Sequence, residues 1–104
     1  MKRIGLSLAL LMMTAMSAHA AEVAINQKGK KFSEKKVTIA VGDSLKFVND
    51  DGTTHNVHSR TKGHDFDLGA QEPGTEATHT FSKAGKVKVR CAIHPKMKMT
   101  VMVE

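Results

Sequence analysis

The chain has no tryptophan, no tyrosine, a single cysteine and two prolines in 104 residues. Nucleic-acid binding loses its usual support, because basic runs interleaved with stacking aromatics are missing. One cysteine excludes an internal disulfide. No stretch sustains a helical apolar period, which argues against a helix bundle. The longest apolar run, from Ile4 to Met16, falls short of the roughly 20 residues that a membrane span needs, so the chain is not expected to be membrane-spanning.

That run is instead the centre of a leader. Lys2 and Arg3 precede it, and Ser17-Ala18-His19-Ala20 follows with small residues where a signal peptidase cuts. The reading is a signal peptide over 1–20, cleaved after Ala20, and a single domain over 21–104 exported to the periplasm. Loss of Lys2 and Arg3 reduces 16 Lys and Arg to 14, against 10 Asp and Glu, a net charge of +4. Pairs such as Lys30-Lys31 and Lys35-Lys36 are scattered, as on a solvated face.

Short alternating segments separated by turn residues fill the domain, which predicts an all-β sandwich of about seven strands. Val23 and Ile25 share a face in the first, and Gln27 to Lys35 is a polar connection with Phe32 as its apolar anchor. Val37, Ile39 and Val41 alternate, then Gly42-Asp43 turns into Leu45 and Phe47, and the two segments read as a hairpin. Thr61 to Gly74 is the least regular part. Val87, Val89 and Cys91 face inward in a late strand, and Met99, Val101 and Val103 in the last.

Chemistry concentrates in Cys91-Ala92-Ile93-His94-Pro95-Lys96-Met97. In an oxidising compartment an unpaired cysteine is free, shared between molecules or occupied. Here it stands three residues before a histidine, which stands three before a methionine. A thiolate, an imidazole and a thioether suit copper better than the oxygen-seeking magnesium and calcium, and better than structural zinc with its four strong donors. His55, 36 residues upstream of Cys91, is the candidate fourth ligand.

His55-Asn56-Val57 together with Cys91-x-x-His94-x-x-Met97 and a closing valine-rich strand resembles the cupredoxins, the small blue-copper proteins. Val41-Gly42-Asp43, Phe66-Asp67-Leu68-Gly69, Pro73-Gly74 and Phe81-x-x-x-Gly85 extend the likeness over the whole mature chain. The short step from His94 to Met97 is more like amicyanin than plastocyanin. The resemblance implies a Greek-key β-sandwich and one copper ion in a type 1 site, with His55, Cys91 and His94 as strong ligands and Met97 as the axial one. It also implies that Asn56 ties the two ligand loops together, with Asn49 in a similar part, that Pro95 stiffens the loop, and that His94 reaches the surface.

Met99 is a rival axial ligand, although strand packing is the commoner use of Met99 and Met102. His58, His64 and His79 read as ordinary surface or edge histidines, with a second, weaker copper site as the other option. Ala92, Ile93 and Pro95, rimmed by Arg90, Lys96 and Lys98, suit transient docking to an acidic surface of a larger redox protein. The function read from these residues is a monomeric, non-enzymatic electron carrier cycling Cu(II) and Cu(I). The alternatives are a periplasmic copper protein for tolerance, buffering or delivery, and an accessory to an enzyme such as an amine dehydrogenase.

Overall fold

A computed structural model describes residues 20–104, and the leader assigned to 1–20 lies outside the described residues apart from Ala20. Nine strands follow in order: β1 (Glu22–Lys28), β2 (Lys31–Phe32), β3 (Lys36–Ile39), β4 (Ser44–Asn49), β5 (His55–Thr61), β6 (His64–Gln71), β7 (Glu76–Thr80), β8 (Gly85–Arg90) and β9 (Lys98–Val103). They form a four-stranded sheet ordered β2-β1-β4-β7 and a five-stranded sheet ordered β3-β9-β8-β5-β6. The two strands beyond the expected seven are β2 and β6. The first is only two residues long, and the second lies in the stretch that reads as irregular.

Both sheets turn alternating apolar residues toward one core. Ile25, Leu45 and Phe47 come from the first sheet, and Val57, Val87, Val89 and Val101 from the second, all at 0% exposure. Burial of a side chain of this size contributes about 1.5–3 kcal/mol. Phe32 closes one end, edge-on to Phe47 at 6.1 Å between ring centroids. At an edge, Phe66 of β6 stacks on His79 of β7 at 3.7 Å and joins the two sheets.

The expected hairpin of β3 and β4 does not form. β3 pairs in parallel with β9, and β4 in parallel with β1, in different sheets. Alternation reports which face is buried, and both strands bury theirs in the same core; it carries no information about which neighbour they bond. Asp43 makes the crossing, accepting from Ala40 N at one carboxylate oxygen and from Ala21 N at the other, both at 2.9 Å. Gly42 permits the turn with φ of 97°. β3 consequently ends at Ile39, and Val41 is half exposed rather than inward.

The segment after Thr61 is a strand because Lys62-Gly63 reverses the chain and β6 then pairs antiparallel with β5. His64, Phe66 and Leu68 keep a strict alternation up to a bulge. Between the pairs Asn56↔Ala70 and His58↔Asp67, β6 carries one extra residue. Gly69 sits there with φ of 80°, a backbone that favours glycine. The apparent breaker is the residue that lets the strand continue.

Candidate metal centre

Antiparallel pairing of β5 with β8 puts the start of β5 and the end of β8 at the same end of the five-stranded sheet, between its edge strands. His55 opens β5, Cys91 follows β8, and the loop 91–97 brings His94 back beside them at that end. His55 and Cys91 are fully buried, and His94 is half-buried. His55 Nδ1 lies 3.1 Å from His94 Nδ1, and Cys91 Sγ lies 3.9 Å from the first and 3.8 Å from the second.

A triangle with sides of 3.1, 3.8 and 3.9 Å has a centre about 2.1 Å from each corner. Bond lengths from a first-row metal such as zinc to imidazole nitrogen and thiolate sulfur are about 2.0–2.3 Å. One ion fits among the three donors. Two imidazoles and a thiolate in such a plane make the donor set of the copper electron-transfer sites. Among the described residues this is the one group of three or more His, Cys, Asp or Glu gathered closely enough to hold a metal.

The other nitrogen of His55 is also held. Nε2 lies 2.8 Å from Asp51 Oδ2, and since a carboxylate only accepts, the proton sits on Nε2 and leaves Nδ1 free to ligate. Asp51 is fixed in turn by the backbone N–H of Lys30 at 2.8 Å. That hydrogen bond first, and the one from His55 second, hold the Asp51 carboxyl well below the usual carboxylate range. Lys30 presents its N–H from a left-handed conformation, φ of 57°, in the β1–β2 turn. Asn49 shapes the same loop: its oxygen accepts from Asp51 N at 2.9 Å, and its amide donates to Thr53 O at 2.9 Å and to Gln71 O at 2.8 Å.

Asn56 joins the two halves of the site. Its backbone N–H donates to Cys91 Sγ at 3.3 Å, and its side-chain oxygen accepts from Ala92 N at 3.2 Å. Its amide nitrogen donates to Asp67 Oδ1 at 2.8 Å and to Gly69 O at 3.0 Å, across the β6 bulge. Asp67 also accepts from Gly69 N at 2.8 Å. These two bonds, the one from Gly69 being the stronger influence, keep its carboxyl below the ordinary range.

The loop closes on itself, with Cys91 N donating to Met97 O at 3.1 Å and Met97 N to His94 O at 2.9 Å. Met97 is buried at 1% exposure and Met99 at 3%. Met99 stands opposite Val89 in β9 and belongs to the core cluster, as does Met97. Ala92, Ile93 and Pro95 are exposed at the loop tip, Ile93 at 49%, and Arg90, Lys96 and Lys98 are exposed beside them.

The remaining histidines engage other partners. His58 contacts the Asn56 side-chain oxygen at 3.1 Å, His64 Nε2 the Lys83 carbonyl at 2.8 Å, and His79 the ring of Phe66. They do not gather into a second cluster of three with other metal-capable groups among the described residues. Asp51 and the backbone of Lys30 are what sequence reasoning missed. A carboxylate four residues before a candidate histidine ligand was the available signal for Asp51, whereas nothing in the sequence indicates the Lys30 amide.

The family model of copper binding proteins of the plastocyanin/azurin family matches residues 19–104. The methylamine utilization protein MauL of Methylorubrum extorquens is 31% identical over 86 residues, covering 82% of this chain and 75% of that protein. A purple cupredoxin from Nitrosopumilus maritimus superimposes with a TM-score of 0.70 at 24% identity, over 79% of this chain and 99% of that one. A Cu(I) amicyanin variant gives a TM-score of 0.75 at 21% identity over 88% of each chain. A copper-containing nitrite reductase from Thermus scotoductus gives 0.75 at 26% identity over 90% of this chain, which spans only 25% of that enzyme. The structural likenesses agree with the two-sheet sandwich, and the family match accounts for the soft donors gathered at one end of it. This chain belongs to the plastocyanin/azurin family of copper binding proteins, and its cofactor is copper.

Proposed function

We propose that this protein is a periplasmic one-electron carrier and not an enzyme, with His55, Cys91 and His94 as the strong copper ligands and Met97 as the axial one. The observation that carries the reading is the convergence of two Nδ1 atoms and one sulfur at 3.1–3.9 Å in a largely buried setting. Bound copper supplies a Cu(II)/Cu(I) couple. The chain holds the donors still: Asp51 orients His55, Asn56 ties the Cys91 loop to β5, and the core fixes Met97. Ligands held so firmly oppose rearrangement when the charge at the centre changes, which favours fast exchange in both directions.

The half-buried His94 lies beside the exposed Ala92, Ile93 and Pro95, which supports an encounter with a larger redox protein at this tip. Small apolar contacts with a charged rim give short-lived complexes. The leader composition of residues 1–20 supports export, with the mature domain over 21–104 acting as a monomer. The MauL relative is named for methylamine utilization, which supports a partner from such a system.

Cyclic voltammetry of the copper-loaded mature protein tests the reading. A reversible couple with the metal retained over repeated cycles is expected. Loss of copper on reduction would contradict the carrier and favour copper buffering or delivery.

A further inference from the structure

Half of the fourteen cations outside the leader surround one opening. An open cleft of about 530 Å³ is lined by Lys30, Lys31 and Lys35 from the segment around β2, by Lys88 and Arg90 of β8, and by Lys96 and Lys98 leading into β9. No Asp or Glu lines it. Phe32, Met97 and Met99, all buried, contribute its apolar lining. A smaller opening shares Lys88 and Arg90 and adds Arg60 and His58, so the basic field extends across β8 to β5.

None of these cations is neutralised within the described residues, whose ion pairs are Lys46 with Glu76 and His55 with Asp51. Like charges around a concavity repel one another and focus a positive potential outward. Such a seat is held against its own repulsion and relaxes when carboxylates enter. Its size exceeds that of one small anion, and its lining includes the apolar Phe32, Met97 and Met99 beside the cations. Most of its cations are lysines, which suit steering rather than bidentate capture of phosphate. Phe32, the one aromatic side chain in the lining, is buried at 8% exposure and presents little face on which a base could stack.

We propose that this cleft seats an acidic segment of the redox partner, on the side of the loop that Met97 lines, while the Ile93 tip makes the apolar contact with the same partner. That the partner is a redox protein rests on the electron-carrier reading; that it is acidic rests on the cleft alone. Lys30, Lys31 and Lys35 are distant in sequence from Lys88, Arg90, Lys96 and Lys98, and only the fold brings the two groups round one opening.

The test uses the mature, Cu(I)-loaded, isotope-labelled protein titrated with a short poly-L-glutamate peptide and followed by amide chemical shifts. The changes should centre on 30–35, 88–90 and 96–100 and weaken as salt is added. The triple variant Lys31→Glu, Lys35→Glu and Lys88→Glu should weaken the peptide about tenfold or more, since several attractions become repulsions, with the copper spectrum and potential unchanged. Reversal of Lys62, Lys83 and Lys86, which line neither opening, should change affinity less than about twofold. Shifts spread over all lysines, or centred on Ala92 and Ile93, would overturn the proposal. So would equal loss in the control variant, or tighter binding to phosphatidylglycerol vesicles or an oligonucleotide than to the peptide. Localised peptide binding by a protein whose copper does not cycle would leave the seat standing and remove only the carrier reading.

Discussion

The backbone N–H of Asn56 points at the sulfur of Cys91 at 3.3 Å, and the Asn56 side chain takes the N–H of Ala92 in return at 3.2 Å. This double tie joins β5 to the loop after β8. An N–H bond to a ligating sulfur moderates the electron donation of that sulfur to a metal.

Asn56→Ala keeps the N–H to sulfur bond and removes the side-chain bonds to Ala92, Asp67 and Gly69. Ala92, Asp67 and Gly69 are exposed and can turn to water, so each lost bond should cost only the net worth of a hydrogen bond, about 0.5–1.5 kcal/mol. Urea unfolding of the copper-free protein measures this, and an unchanged midpoint would show that the tie is incidental.

Asp51 acts on the metal through His55. Asp51→Ala should lower copper affinity about 10–100-fold, the usual effect of losing the group that orients a histidine ligand. Asp51→Asn, whose amide oxygen still accepts from Nε2, should lose less. Competition with a chelator reads both, and equal affinities in the two variants would contradict the orienting role.

Met97 and Met99 are equally buried but differently placed, one ending the loop and the other opposite Val89 in β9. Met97→Leu should retain copper and raise the reduction potential, because removal of a thioether donor disfavours Cu(II). Met99→Leu, a volume-conserving swap in the core, should cost less than about 1.5 kcal/mol and leave the potential near its starting value. The reverse pattern would make Met99 the axial ligand.

Much of this arrangement is legible in the sequence, for reasons that differ by residue. Val87, Val89 and Cys91 share a parity, so an inward thiol at a strand end follows from period two alone. His55 can be singled out because a soft donor set lacks one member. The crossing at Gly42-Asp43 is not legible, because a strand bonded in either sheet shows the same alternation. β6 is hidden by Gly69, which reads as a breaker until the bulge gives it a place. Asp51 looks like one more polar loop residue, since its partner Lys30 is engaged through the backbone and leaves no trace in side-chain pattern.

His79 adds a dependence on pH away from the metal. Burial between Phe66 and Phe81 first, and nearby His64 second, lower its pKa from the ordinary value of 6.5. The unfolded chain therefore binds more protons than the folded one between 6.5 and the lowered value. Stability from this site is complete above 6.5 and is lost as pH falls through that window. Asp43, Asp51 and Asp67, all lowered, act in a separate window, losing their contribution as pH falls below 3.8 toward their folded values. His79→Phe should flatten the upper window and leave the lower one. Thermal unfolding of the copper-free protein from neutral pH downward checks this, and an unaltered upper slope would contradict it.

The visible spectrum of the mature protein with one equivalent of Cu(II), before and after ascorbate and again after reoxidation, tests the central claim most directly. An intense thiolate-to-copper band should appear, bleach and return, and Cys91→Ser should abolish it because a hydroxyl cannot supply that donor. Copper bound without the band, or a band that survives in Cys91→Ser, would contradict a centre built on Cys91.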